Sequence, residues 1–100
     1  MGSVKWIHIS VICDLSKLDD KGCHGAPDWV IEIVSPSSKV RDYMTKLIQY
    51  RTAGVREYWI IDIEKQMTTV YGFEINTVEQ YFFGEDVPVG IYEGFSIKVQ

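Results

Sequence analysis

The sequence has few of the features that define several protein classes. It contains only two cysteines and three prolines in 100 residues, and no apolar run approaches the ~18 residues that a membrane-spanning helix requires. No basic segment followed by an apolar one, as in a secretion signal, precedes the first predicted strand. We therefore expect a cytoplasmic protein with no membrane partner, in which Cys13 and Cys23 are unpaired thiols in a reducing compartment.

A zinc site is also disfavoured. Cys13, Cys23 and His24 offer three soft ligands, but they lack the paired C-x-x-C spacing and the fourth ligand of a structural zinc site. Two incidental cysteines are the better interpretation.

Positive charge is scarce overall but concentrated in one stretch. Fourteen acidic and ten basic residues give a net charge of −4, which argues against binding of nucleic acid or a membrane surface through overall charge. Between Lys39 and Arg56, however, five basic residues stand against one acid. This stretch is either a solvated helix face or a surface that faces an anion.

Apolar residues are abundant enough for one small core. The composition is 46% hydrophobic and 13% aromatic, which predicts a single folded domain over residues 1–100. A domain of this size buries only part of its chain surface, so a second subunit that covers apolar area would stabilise it. We therefore expect a homo-oligomer.

Hydrophobic periodicity predicts an α/β fold with the element order β, β, α, β, β, β, β. The predicted segments are a strand at 4–13, a loop at 14–26 with one helical turn at 15–18, a strand at 28–34, a helix at 39–53, a strand at 57–63, a hairpin of strands at 67–73 and 78–83, and a strand at 94–99. Ser37 and Ser38 are candidate N-caps of the helix, and Gly54 is its expected C-terminal stop.

The anomaly in this pattern is Glu32. It lies in the middle of a strand rich in β-branched residues, and a carboxylate buried there needs a cation, a metal or hydrogen-bond donors. Lys46 lies beside the apolar stripe of the following helix. The two residues form either a structural ion pair or part of a site for metal-assisted phosphodiester hydrolysis, in which carboxylates hold the metal and a lysine steadies developing charge.

Three ordered motifs carry a resemblance to a known family. They are GAPDWVIEIVSPSS at 25–38, Arg41-Asp42 with Lys46 and Tyr50, and AGVREYWIID at 53–62. Together they resemble the Uma family of restriction-endonuclease-like proteins, in the PD-(D/E)XK nuclease superfamily, over roughly residues 9–99. The resemblance implies a restriction-endonuclease-like core with a mixed or mostly antiparallel sheet and one main helix, and a metal-dependent endonuclease that acts on DNA with Mg²⁺ or Mn²⁺.

The resemblance also implies roles for single residues. The strand glutamate of the family falls on Glu32, a metal ligand, and its catalytic lysine falls on Lys46. Asp42 matches the helix aspartate, which either pairs with Lys46 or helps to hold the metal. Tyr50 and Tyr58 match as well, and we interpret both as packing residues.

The chain departs from the family pattern in two places. In the family, the strand before the loop usually opens with Pro-Asp, and that aspartate is a principal metal ligand, whereas this sequence has Ile7 and His8 there. His8 is either a substitute ligand, suited to Mn²⁺, or a surface or packing residue. Family members also carry a longer N-terminal region, so the resemblance implies that this chain is the C-terminal part of the domain.

Two function classes follow from these observations. The first is the metal-dependent DNA endonuclease, with the basic helix facing phosphate. The second is a catalytically inactive remnant that acts as an oligomerisation or interaction module, since an uncovered sheet edge would favour pairing with a second copy. A nucleic-acid binder that does not cleave is disfavoured by the net acidity of the chain.

Overall fold

The centre of the structure is a five-stranded mixed sheet. The computed structural model describes residues 5–35 and 40–100, with side chains described for 11–34 and 45–100. The strands are β1 (Lys5–Ile12), β2 (Leu18–Asp19), β3 (Gly22–Cys23), β4 (Trp29–Ser35), β5 (Glu57–Asp62), β6 (Met67–Gly72), β7 (Thr77–Phe82), β8 (Asp86–Pro88) and β9 (Ser96–Lys98). The helix α1 spans Val40–Ala53, and a 3₁₀ turn spans Leu15–Lys17. The helix and six of these strands match the predicted α/β elements, namely β1, β4, β5, β6, β7 and β9.

The sheet has the strand order β1-β4-β5-β6-β7, and only β4 and β5 run parallel. Parallel neighbours need a crossover connection, and α1 provides it between these two strands. The other three pairs are antiparallel. The predicted mixed, mostly antiparallel sheet with one main helix is therefore confirmed.

The end of α1 follows from Gly54. This residue has φ +100°, a left-handed conformation that glycine adopts without a Cβ penalty. The Gly54 N–H donates to the Arg51 carbonyl at 3.2 Å, and the Val55 N–H donates to the Tyr50 carbonyl at 3.1 Å, which is the Schellman pattern. The predicted caps Ser37 and Ser38 lie outside the described residues.

Across residues 5–35 and 40–100, no helix is long and apolar enough to cross a membrane.

The sheet buries a different cluster on each face. On the helix face, α1 covers a cluster centred on Tyr58, which is 0% exposed. On the opposite face, which we call the hairpin face, the β8–β9 pair covers a cluster centred on Trp29 and Trp59, whose ring centroids lie 5.0 Å apart. The alternation of side chains along β4 and β5 therefore divides their residues between two separate cores.

The C-terminal hairpin differs from the prediction. We expected an irregular segment and then one strand, but β8 pairs with β9, and Val87 lies opposite Ile97. The segment around β8 contains proline and glycine, which usually interrupt strands, and a strand of three residues leaves little periodicity to detect. The short β2–β3 pair was missed for the same reason.

The prediction of unpaired cysteines was wrong. Cys13 and Cys23 form a disulfide, with their Cα atoms 6.1 Å apart. The chain between them folds back through β2 and β3, and Leu18 lies opposite Cys23 in that pair. This reversal brings residues ten positions apart into bonding distance, and the sequence spacing alone did not reveal it.

Candidate active site

Among the described side chains, Glu32 is the most deeply buried acidic residue. It lies in the middle of β4, between Ile9 of β1 and Ile60 of β5. Val30 and Val34, two positions away on either side, belong to the cluster under α1, so strand alternation places Glu32 on the helix face. Its side chain is 0% exposed, and a carboxylate in such a position requires partners.

Three side chains supply those partners. The Tyr50 hydroxyl donates to Glu32 Oε1 at 2.7 Å, and the Tyr58 hydroxyl donates to Oε2 at 3.1 Å. Lys46 Nζ lies 3.6 Å from Oε1 and forms an ion pair with it. Both carboxylate oxygens are therefore engaged, and the predicted proximity of Glu32 and Lys46 is observed.

The crossover from β4 to β5 explains why these residues meet. Lys46 and Tyr50 are four positions apart on α1, so they lie on the same side of the helix, one turn apart. Tyr58 comes from β5, where it lies beside Val30 of β4. The helix therefore presents one cation and one hydroxyl to Glu32, and the neighbouring strand β5 presents a second hydroxyl.

Both tyrosines keep their protons at neutral pH. Burial and the hydrogen bond to Glu32 raise the pKa of Tyr50 well above its usual value. Burial and the negative charge of Glu32 raise the pKa of Tyr58 in the same direction. Each phenol is therefore a permanent hydrogen-bond donor to the carboxylate.

The interpretation of Tyr50 and Tyr58 as packing residues was incomplete. Their rings do pack, with centroids 4.8 Å apart, and Tyr71 extends the stack 5.9 Å beyond Tyr58. Their hydroxyls, however, bind the buried carboxylate. The available sequence signal was Glu32 itself, since a buried acid requires donors from the elements packed on its face.

Two of the predicted site residues have no described side chain. The backbone of His8 pairs with Ile33, whereas Ile9 is the residue opposite Glu32. Asp42 lies in α1, four positions before Lys46. The side chains of both residues lie outside the described part of the chain. Within the described side chains, no group of three His, Cys, Asp or Glu residues could hold a metal ion.

Most of the basic stretch is paired with acids where its side chains are described. Lys46 pairs with Glu32, and Arg56 Nε donates to Glu74 at 2.9 Å. Arg51 instead donates to the neutral Asn76 side chain at 2.7 Å. These contacts favour a stabilising role over a continuous surface facing an anion.

A second buried carboxylate, that of Asp28, lies just before β4. The buried Asp28 accepts from Lys17 Nζ at 3.1 Å and from Arg56 Nη1 at 3.5 Å, and its other oxygen accepts the Asp14 N–H at 2.6 Å. Burial alone would raise the pKa of Asp28, but these donors outweigh it and lower the pKa. Asp28 therefore links the loop between Cys13 and Cys23 to the sheet through hydrogen bonds and an ion pair.

A third buried carboxylate, Glu57, lies on the hairpin face. It accepts the Trp59 indole N–H at 2.5 Å and the backbone N–H groups of Gly90 and Ile91. Burial raises the pKa of Glu57. Its partners are a strand neighbour and the C-terminal segment, so it anchors that segment and takes no part in the Glu32 cluster.

Comparisons with known proteins give the family of the chain. Residues 9–100 match the family model Uma2, described as "Putative restriction endonuclease". A solved structure titled as a putative nuclease belonging to DUF820, from Anabaena variabilis ATCC 29413, is similar with a TM-score of 0.66 and 23% sequence identity. That match covers 86% of this chain and 52% of the other, so this chain spans about half the length of that structure.

Comparison with curated proteins gives no match. The structural likeness shows a shared fold, because the identity is too low to carry more than the architecture. The family model, by contrast, extends over nearly the whole chain and includes the strand of Glu32, the helix of Lys46 and the strand of Tyr58. The chain therefore belongs to the Uma2 family of restriction-endonuclease-like proteins.

Proposed function

We propose that this protein is a metal-dependent nuclease that hydrolyses phosphodiester bonds in DNA, with Glu32 as a cation ligand and Lys46 as the catalytic lysine. The observation that carries the proposal is the distance of 3.6 Å between Lys46 Nζ and a Glu32 carboxylate that is 0% exposed. Family membership supports the reaction class, because a restriction endonuclease, as the family model is described, hydrolyses phosphodiester bonds in DNA.

The chemistry of Glu32 suits a hard divalent cation. Mg²⁺ and Mn²⁺ prefer oxygen ligands, and in nucleases and related enzymes one or two carboxylates share the ion with water and substrate phosphate. Glu32 supplies one such carboxylate, and we propose Asp42, one turn before Lys46 on α1, as a further protein ligand. A cation held there would polarise the phosphate and lower the pKa of a bound water.

The residues of the chain itself have three tasks in this proposal. Lys46 is partly exposed, so its ammonium group can reach a phosphate oxygen while it stays beside Glu32. Tyr58 fixes the orientation of the Glu32 carboxylate through Oε2. The apolar cluster under α1 limits the access of water, which strengthens the electrostatic interactions of Lys46.

The test is nicking of supercoiled plasmid in Mg²⁺ and in Mn²⁺. We expect cleavage by the parent chain and a loss of at least a hundredfold in Glu32→Gln and in Lys46→Met, because each removes a charged group that acts on the phosphate or the cation. Glu64→Gln and Lys65→Met make the same charge changes in an exposed turn and should cleave like the parent. All variants are first checked for folding by circular dichroism.

The nicking assay has one outcome that supports the proposal and two that refute it. Cleavage by the controls but not by the two site variants supports the nuclease. Failure of the folded parent to cut in either metal, or equal cleavage by Glu32→Gln, refutes it.

A further inference from the structure

We propose that the Tyr50 hydroxyl blocks Glu32 Oε1 by its hydrogen bond before a cation binds. A divalent cation then reaches Glu32 only when the Tyr50 side chain moves away from this oxygen. The inference rests on the proposed function, and it assigns to Tyr50 the control of cation access to the same site. Tyr50 is in this view a positioning residue that acts through Glu32.

The two oxygens of Glu32 face different surroundings. Oε2 accepts from Tyr58, which lies on the central strand β5 and is 0% exposed. Oε1 faces α1, where Tyr50 is half-buried and the Lys46 side chain is 26% exposed. The carboxylate itself is 0% exposed, so a cation from solvent reaches it only by displacing one of these partners, and the partly exposed partners are those at Oε1.

Oε1 is already engaged. A carboxylate oxygen has two lone pairs, and the hydrogen bond from Tyr50 at 2.7 Å occupies one of them directly. Lys46 at 3.6 Å is beyond good hydrogen-bond distance, so it neutralises Oε1 without a short contact. Tyr50 is consequently the tighter of the two partners and the main competitor for a cation.

Tyr50 is also the partner that can move. It lies in the last turn of α1, with one side of its ring on Tyr58 at 4.8 Å and part of its surface exposed. Tyr58, by contrast, is 0% exposed and makes ring contacts with Tyr50, Tyr71 and Phe73. A rotation of the Tyr50 side chain would release Oε1 and leave the Tyr58 contact with Oε2 in place.

The experiment is calorimetric titration of the full chain with Mn²⁺ alone, without DNA. We expect Tyr50→Phe to bind Mn²⁺ roughly tenfold more tightly than the parent, because the hydrogen bond that competes for Oε1 is removed. Tyr58→Phe is the matched control, and its affinity should not rise, because it frees only Oε2, whose partner is fully buried. Glu32→Gln should abolish the binding at this site.

A measurement on the parent chain avoids dependence on the folding of any variant. With tyrosine labelled by ¹³C at the ζ carbon, titration with Mg²⁺ should shift the Tyr50 signal strongly and the Tyr58 signal weakly. A purely structural Tyr50 would show neither the selective shift nor the rise in affinity.

The outcomes distinguish this inference from the proposed function. If the parent binds Mn²⁺ and Tyr50→Phe binds equally or more weakly, Tyr50 control is refuted while the nuclease proposal stands. If neither the parent nor Tyr50→Phe binds Mn²⁺, both the inference and the metal dependence are refuted. Tighter binding by Tyr50→Phe, together with loss in Glu32→Gln, supports the inference.

Discussion

The hydrogen bond from Tyr58 to Glu32 makes a quantitative prediction about stability. Tyr58→Phe removes one hydroxyl and keeps the ring, so it opens almost no cavity. It leaves Oε2 of a fully buried carboxylate without its donor at 3.1 Å. A hydrogen bond to a charged group contributes about 1.5–3 kcal/mol net, so we expect the free energy of unfolding to fall by about 2 kcal/mol.

The assay is urea unfolding followed by tryptophan fluorescence, because Trp29 and Trp59 are both buried. Tyr71→Phe is the matched control. It removes a hydroxyl from the same aromatic stack, at a half-buried position with no hydrogen bond to another side chain among the described contacts. The control should lose less than about 0.5 kcal/mol.

A double-mutant cycle tests the assigned cause. In a Glu32→Gln background, Tyr58→Phe should cost markedly less, because the partner of the hydroxyl no longer carries a charge. Equal losses for Tyr58→Phe and Tyr71→Phe, or the same cost of Tyr58→Phe in both backgrounds, would show that the buried carboxylate does not depend on Tyr58.

Three further predictions concern other parts of the chain. Gly90→Ala should destabilise the C-terminal segment, since an added Cβ would lie 2.8 Å from Glu57 Oε1, and thermal unfolding should begin at a lower temperature than in the parent. The lowered pKa of Asp28 gives stability that is present above its unfolded value of about 3.8 and is lost as the pH falls through the lower folded value, so Asp28→Asn should flatten the acid limb of a stability–pH curve. His8→Asp should leave Mg²⁺-supported plasmid nicking unchanged, because His8 pairs with Ile33 and Ile9 is the residue opposite Glu32; a rise above the parent would add residue 8 to the ligand set, since a carboxylate is a better Mg²⁺ ligand than imidazole.

Much of the sheet and its helix could be predicted because their signals are local. Side-chain alternation predicted β4 and β5, and Gly54 predicted that α1 ends at Ala53. The pairing of Glu32 with Lys46 was also foreseen, since a buried acid on a strand and a lysine on the next helix leave few alternatives.

The remaining features depend on contacts that a single sequence does not encode locally. A tyrosine at a core position gives the same periodicity whether or not its hydroxyl finds a buried acceptor, so the roles of Tyr50 and Tyr58 were missed. The Cys13–Cys23 disulfide depends on the reversal of an irregular loop. Strand β8 is recognisable only through its pairing with β9, which follows a loop of seven residues from 89 to 95.

The position of the site within a single β–α–β crossover bears on how this architecture can vary. Glu32, Lys46, Tyr50 and Tyr58 all fall within one continuous stretch of 27 residues, from position 32 to position 58. The described side-chain hydrogen bonds and the ion pair of Glu32 come from this stretch alone, whereas its backbone also neighbours Ile9 of β1 and Ile60 of β5. Insertions or deletions in the hairpin turns can therefore accumulate without altering the chemistry, whereas one residue gained or lost in α1 before Lys46 would rotate both Lys46 and Tyr50 by about 100° away from the carboxylate.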